Sequence, residues 1–424
     1  LFYTVENKNM REMKNSGFEW IEDMPNDWCL ERLQWHIEEI NISNNPIQTK
    51  EVLSLTNKLG VIPYEEKGNQ GNKAKENVYE YKLAFPNTIV ANSMNILIGS
   101  VGLCNYFGCV SPVYYVFKAK KGNNIRFLNY IFQTTGFQRE LRKFANGILE
   151  IRLRVSANDI LKRFVPFPSE SEQHRIADFL DRECGKINSI AADIEKQIEI
   201  LEQYKRSVIQ TAVSRGLDYS VALGESKVKY VGSIPHHWEV KRGKYIFSYI
   251  QKPVKENDGV ITCFRDGEVT LRSNRREEGF TVSEKEIGYQ GIDVGDLIVH
   301  GMDGFAGAIG ISDSRGKASP VLNNLMTTHC KKYYMYYLRN MAYRGVFISL
   351  STGTRVRTCD TNWGKLREIY YAVPPLEEQQ AIADYLDKKC AEIDVVIADK
   401  KEQLDILENY KKSIIYEYVT GKKE

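Results

Sequence analysis

Apolar residues recur every seven positions along one stretch of the chain, at Leu180, Ile187, Ile194, Leu201 and Val208. They recur again at Leu386, Ile393, Leu407 and Ile414, with Lys400 standing where an apolar residue is expected. Charged residues fill the opposite face, Glu195, Lys196, Glu199, Glu202 and Lys205 in the first stretch, so each pattern predicts a long helix with one buried stripe and one solvated face. A companion line is predicted at Ile176, Ile190 and Tyr204, and at Ile382, Val396, Ile397, Leu404 and Tyr410. Pro166 and Pro168, then Pro374 and Pro375, precede the two stretches, where they hold the incoming chain extended.

The two helical stretches are one element used twice. "EQHRIADFLDRECGKIN" (Glu172 to Asn188) returns as "EQQAIADYLDKKCAEID" (Glu378 to Asp394), and an ungapped alignment of 172–213 with 378–419 gives identity at roughly half the positions. Upstream, "MPNDWCLERL" (Met24 to Leu33) echoes "IPHHWEVKRG" (Ile234 to Gly243), and "VSPVYYVF" (Val110 to Phe117) echoes "ASPVLNNL" (Ala318 to Leu325). The chain is therefore a tandem duplication of a globular unit followed by a helix. A long seam needs a partner, and compact units usually bring their own termini close together, so the two helices are expected to pair antiparallel. About 40 helical residues make a rod of roughly 60 Å. The plainer alternative is that each helix packs separately into its own domain.

Between the helices the period changes. "EVLSLTNKLGVIPY" and "NTIVANSMNILIGSVGLCNYFGCVSPVYYVF" alternate branched and aromatic residues between Gly, Asn and Pro, which predicts strands and hairpins. A helical stretch follows in each unit, Arg126 to Ala145 and Tyr333 to Ser349, and then a Gly-containing turn with an Arg-bearing segment. Framework positions match between the units while their loops do not. The expected division is a first unit at 1–165, a central helix at 166–216, a second unit at 217–373 and a terminal helix at 374–424. The fold class is α+β, two β-rich units separated by a long antiparallel two-helix coiled coil with internal pseudo-twofold repeat.

Composition narrows the classes. With 42% hydrophobic and 11% aromatic residues the chain is an ordinary globular one. Its eight cysteines are scattered without a C-x-x-C pair, as suits reduced thiols in a cytoplasmic setting. Leu1 opens the sequence, consistent with a non-Met start codon read literally or with a trimmed N-terminus. No apolar run approaches the roughly 20 residues of a membrane span. Net charge is only +3, so a nucleic-acid partner would have to be met by locally concentrated positive charge.

Two loop regions concentrate that charge. Lys67, Lys73 and Lys75 lie among Asn69, Gln70 and Asn72 in the first unit, and Arg265, Arg272, Arg275 and Arg276 lie with Thr270, Ser273 and Asn274 in the second. Lys and Arg satisfy phosphates, while bidentate Arg, Asn and Gln read base edges. The aligned segments "NTIVANSMN" and "GDLIVHGMD" add Asn92, Asn95 and His300. Arg152, Arg154, Arg355 and Arg357 recur at matching places, either as shared DNA-backbone contacts or as structural partners of nearby carboxylates. A solvated loop is the ordinary alternative for all of these. The glycine-rich "GMDGFAGAIG" lacks the strand, G-x-G-x-x-G, helix order of a dinucleotide site and is expected to be a tight strand-loop-strand. No four-ligand metal spacing, phosphate-binding lysine loop, methyltransferase tetrapeptide or metal-dependent nuclease arrangement emerges.

The pattern PP-x-x-EQ-x-x-IADYLD…LENYKKSII after a divergent unit, present twice, with "IPHHWEV" at the unit start and "SPVYYVF" inside, resembles the specificity subunits of type I restriction–modification systems. The resemblance implies two target-recognition domains, a non-catalytic chain and a double-stranded DNA target. It also implies two DNA methyltransferase partners, to which two restriction (motor-nuclease) subunits are added in some systems. S-adenosylmethionine, ATP and Mg²⁺ are then expected on those partners and none on this chain. The expected function is sequence-specific recognition of a bipartite, asymmetric site. The competing readings are a DNA-independent coiled-coil scaffold joining two protein clients and an enzyme acting alone.

Overall fold

A computed structural model of the protein describes residues 11–56, 60–67, 77–146, 153–275, 286–350 and 361–423. Three short helices, α1 (Ile125–Gln133), α2 (Thr135–Arg142) and α3 (Ala157–Leu161), precede the long α4 (Glu170–Arg215). The series then repeats as α5 (Lys331–Tyr343), α6 (Val346–Ser349), α7 (Trp363–Leu366) and the long α8 (Leu376–Val419). The chain divides into two compact units, Leu1–Ile194 with Lys401–Glu424, and Glu195–Lys400. Each unit thus owns part of both long helices.

In the first unit a four-stranded antiparallel sheet runs in the order Ile37–Glu39, Tyr114–Ala119, Thr88–Asn92, Val101–Cys104. In the second the order is Ser248–Tyr249, Leu322–Met326, Leu297–His300, Ile309–Ile311, the same topology built from the aligned segments. Helical pairs lie after each sheet in sequence, and each expected single helix is broken. Thr134 ends α1 and its hydroxyl accepts the Phe137 N–H to start α2, while Gly345, at φ 69°, separates α5 from α6. α3 and α7, each capped by a polar side chain, Ser156 and Asn362, were not foreseen from the sequence.

The long helices run antiparallel within each unit. One core joins Ile176, Ala177, Leu180, Cys184 and Ile187 of α4 to Ile414, Ile415 and Val419 of α8, together with Trp28, Phe127 and Phe132. The other joins Ile209, Ala212 and Val213 of α4 to Ile382, Ala383, Leu386 and Cys390 of α8, together with Trp238, Tyr333 and Tyr371. The start of one helix therefore lies against the end of the other.

The expected companion line is corrected. Ile190 and Tyr204 are each half exposed, as are Val396 and Tyr410. The inner line runs through Cys184, Ala191, Ile198, Lys205 and Ala212, and through Cys390, Ile397, Leu404, Lys411 and Tyr418, so Ile397 and Leu404 of the expected line hold, and Ile176 and Ile382 are buried as expected. At about 100° per residue, position i+4 leads a seven-residue stripe by about 40° and i+3 trails it by about 60°, so i+4 closes the seam. Leu180, Ile187, Ile194, Leu386, Ile393 and Ile414 are buried; Leu201, Val208 and Leu407 are half-buried. Lys205, expected on the solvated face, belongs to this inner line and pairs with Asp394 at 2.6 Å. Its counterpart Lys411 reaches Asn188 at 2.8 Å, and Lys400, the interruption in the stripe, bonds Gln197 at 2.6 Å.

The repeated Glu-Gln pair is the joint between globular part and helix. In the first unit the buried Trp28 indole N–H donates to Glu172 at 3.1 Å, and Arg11 holds the same carboxylate at 2.6 Å. In the second, Trp238 donates to Glu378 at 3.0 Å, with His237 Nε2 at 2.8 Å. The glutamines bridge. Gln173 accepts from the Asn124 N–H, just before α1, and donates to the Pro168 carbonyl; Gln379 accepts from the Cys330 N–H, just before α5, and donates to Pro374. Tyr130 to Asp181, and Tyr336 to Asp387, complete equivalent contacts at 2.7 and 2.8 Å. Buried donors and acceptors with few alternatives fix an angle as well as a distance.

Candidate nucleic-acid interface

With the framework held identically, the units differ where a sheet strand ends and turns. In the first, Thr88–Asn92 ends in the buried Asn92, whose Oδ1 accepts the Met94 N–H at 3.1 Å. The exposed Asn95 opens a single 3-10 turn, Ile96–Ile98, closed by Gly99 at φ 83°. Arg154, also exposed, lays a guanidinium nitrogen 3.6 Å from Met94 Sδ. The next residue, Val155, donates its N–H to the Ser93 carbonyl at 3.3 Å. Asn92, Asn95 and Arg154 are thus brought together. Lys67 stands at the end of a separate element, the Tyr64–Lys67 turn, with its ammonium 5.2 Å from the Tyr64 ring centre.

In the second unit the aligned strand ends in His300. Its Nδ1 accepts the backbone N–H groups of Met302 at 3.2 Å and Asp303 at 3.0 Å, which leaves the ring hydrogen on Nε2. Burial pushes the His300 pKa down, with Asp303 opposing and Arg265 reinforcing, so the imidazole is a neutral donor near pH 7. Thr361 donates to the His300 carbonyl at 2.8 Å, so here too the turn is tied to the segment that precedes the long helix. "GMDGFAGAIG" (301–310) is the loop that follows the strand Leu297–His300, with one 3-10 turn (Gly304–Ala306), and runs into the strand Ile309–Ile311, giving the expected strand-loop-strand.

The described arginines of this region, Arg265, Arg272 and Arg275, are not a free cationic loop. Arg265 pairs with Asp303 at 2.8 Å. Arg275 holds Asp266 at 2.5 Å and Glu268 at 3.0 Å, with its guanidinium 4.2 Å from the Phe264 ring centre. The hydrogen bond to Asp266, and then the charges of Asp266 and Glu268, raise the Arg275 pKa against the opposing effect of burial. Arg272 reaches Thr262 Oγ1 at 3.4 Å, and Asn274 donates to Thr270 at 2.9 Å. His300, Asp303 and Arg265 of the hairpin turn form one group, and Arg275, which follows the hairpin, pairs back to Asp266 and Glu268 in that turn. Asp266, Glu268 and Asp303 were not among the expected site residues. The signal for the first two was the alternation of charge in "FRDGEVTLRSNR" itself. Lys73, Lys75, Arg152, Arg276, Arg355 and Arg357 lie outside the described residues. Among the described residues no group of three or more His, Cys, Asp or Glu could hold a metal ion, and no helix is long and apolar enough to cross a membrane.

No family model matches the chain. A curated protein of Methanocaldococcus jannaschii, named as the specificity subunit of a type I restriction enzyme, MjaX, is 26% identical over 267 residues. A chain solved in work on complex assembly and conformational transition of the type I R-M system superposes with a TM-score of 0.66 at 13% identity, covering 93% of this chain and 98% of that one. The chain resembles a type I specificity subunit in sequence and shares the fold of a chain from a type I R-M system. The MjaX match takes in 61% of this chain and 59% of the relative, so the chain spans about three-fifths of the length of that curated protein. The HsdS subunit of Thermoanaerobacter tengcongensis is a further structural neighbour, with a TM-score of 0.45 and 14% identity over 94% of this chain and 98% of its own.

Proposed function

We propose that the chain is the sequence-specific DNA-binding specificity subunit of a type I restriction–modification complex. Its two recognition units, 1–165 and 217–373, each read one half of a bipartite, asymmetric target. The observation that carries this reading is a framework repeated contact for contact, Trp28–Glu172 and Trp238–Glu378, presenting unlike chemistry at the same turn: Asn92, Asn95 and Arg154 in one unit, His300, Asp303 and Arg265 in the other. Amides, a neutral imidazole and guanidinium groups are base-edge donors and acceptors, and the cations meet phosphates. On this reading the chain carries no catalysis. It works in the cytoplasm and recruits two DNA methyltransferase subunits, which bring S-adenosylmethionine, and restriction subunits bring ATP and Mg²⁺ where the system has them.

Single-molecule methylome sequencing of a host carrying the chain with its methyltransferase reads both half-sites and the gap at once. The expected result is a gapped motif in which alanine at Arg272 and Arg275 degrades one half only, each base-reading arginine being worth roughly 1–3 kcal/mol. Equal degradation of both halves, or no gapped motif, defeats the reading.

A further inference from the structure

The Arg265–Asp303 pair joins two segments that the fold brings together from distant parts of the sequence: the hairpin turn after Ile261–Cys263 and the turn after Leu297–His300. Asp303 is fixed from behind, because its backbone N–H is held by His300 Nδ1 at 3.0 Å and its carbonyl accepts the Ala306 N–H at 2.9 Å. Arg265 is two-thirds exposed, so its guanidinium faces solvent while one carboxylate occupies it. A further cation, Arg275, which follows the hairpin, is occupied in the same way by Asp266 and Glu268 of the hairpin turn. At the place of Asp303 the first unit carries the neutral Asn95, and its nearby cation Arg154 lies against a thioether instead of a carboxylate.

We propose that Asp303 is a specificity-determining residue: it occupies Arg265 with a carboxylate that non-cognate phosphates must displace, so that only a duplex offering further contacts to the second unit frees the arginine. This rests on the DNA-binding reading above. A carboxylate and a phosphate compete for the same guanidinium fork, and a rigidly placed carboxylate costs less to keep than one that must be ordered. Random DNA supplies phosphates alone, which yields weak, salt-dependent binding. The carboxylate at Asp303 subtracts from that term and leaves base recognition to decide.

The test measures binding of the full-length chain to a random-sequence duplex by fluorescence anisotropy over a range of salt concentration. One additional phosphate contact steepens the slope of log Kd against log salt by about 0.9, which at about 0.1 M salt is roughly an eightfold gain in affinity. Asp303→Asn, which installs the residue the first unit already carries at this place, is expected to give that change. In an Arg265→Ala background the same substitution is expected to change nothing. An unaltered Kd and slope for Asp303→Asn overturns the proposal, as does an equal gain in the Arg265→Ala background, since that would mark a general loss of negative charge. Wild-type chain that binds no duplex, with or without a methyltransferase partner, overturns the DNA-binding reading itself. Binding by the wild type with no effect at Asp303 overturns only the role of the carboxylate.

Discussion

Glu172 and Glu378 occupy equivalent places yet stand in different electrostatic company, and a single isosteric change separates them. Glu172 is buried and takes two bonds from Arg11, at 2.6 and 3.2 Å, besides the Trp28 indole. Replacing it by Gln keeps the shape, and the amide oxygen still accepts from Trp28. The amide NH₂ then faces Arg11, donor against donor, although Asp27 remains as a second counter-charge at 2.5 Å. Loss of a charge-assisted bond to a mostly buried guanidinium costs about 1.5–3 kcal/mol. Glu378→Gln loses less. Its second partner is His237, which meets the same Oε2 as the Trp238 indole, so an amide oxygen placed there keeps both bonds, no arginine faces the new NH₂, and the side chain is partly exposed. That cost stays below about 1 kcal/mol.

The two units need not melt together, so the assay is hydrogen exchange resolved by peptide rather than a single melting temperature. In Glu172→Gln the slowest amides of α1 should exchange about 10- to 150-fold faster, the Boltzmann equivalent of that energy, with α5 unchanged. In Glu378→Gln the α5 amides should accelerate by less than about fivefold. Equal acceleration in the two variants would refute the claim that the permanent charge of Arg11 distinguishes the joints. No acceleration in Glu172→Gln would refute the joint itself.

Three further outcomes follow from particular contacts. A Cβ at Gly310 would overlap the carbonyl oxygen of Gly267, itself at φ 93°, so Gly310→Ala should displace the Phe264–Glu268 turn. The expected cost is about 1–3 kcal/mol, seen as faster exchange in the second unit alone. Asp293, held by Lys252 and then Arg315, has its pKa lowered to about 2, against an unfolded value near 3.9. Its contribution is therefore complete above about pH 4 and lost as pH falls toward 2, and Asp293→Asn should flatten that part of the acid-unfolding curve of the second unit. The seam contacts Lys205–Asp394 and Lys411–Asn188 are equivalent, one an ion pair and one not. Asn188→Asp should stabilise the first unit and Asp394→Asn destabilise the second by comparable amounts of less than about 1 kcal/mol, both effects fading at high salt; effects of the same sign would break the equivalence.

The long helices were legible because a seven-residue period survives any detail of packing, and the duplication because half of a long helix recurs unchanged. The second seam line was not, since apolar residues at Ile190 and Tyr204 competed with Cys184, Ala191 and Lys205, and hydrophobicity points to the wrong set while helix geometry points to the right one. The Glu-Gln pair was conspicuous as a motif but mute as to purpose. Its partners, Trp28 and Asn124, come from parts of the chain whose proximity depends on the tertiary fold. The charge pairs of the second unit failed to show for a related reason: Arg265 meets Asp303 only once two strand ends are laid side by side.

That failure bears on how such a chain acquires a new target. The joint residues Trp28, Glu172, Gln173 and Asp181, and their counterparts Trp238, Glu378, Gln379 and Asp387, bury or occupy their polar atoms in contacts made by both units. A change at any of them leaves a donor or acceptor without its partner, at a cost of about 1–3 kcal/mol. A change at Asn95 or Asp303 leaves no buried group stranded, because both side chains reach solvent. The same arithmetic that holds the joint constant therefore leaves the turn free to vary, and places the carboxylate of Asp303 where its effect falls on the ligand and not on the fold.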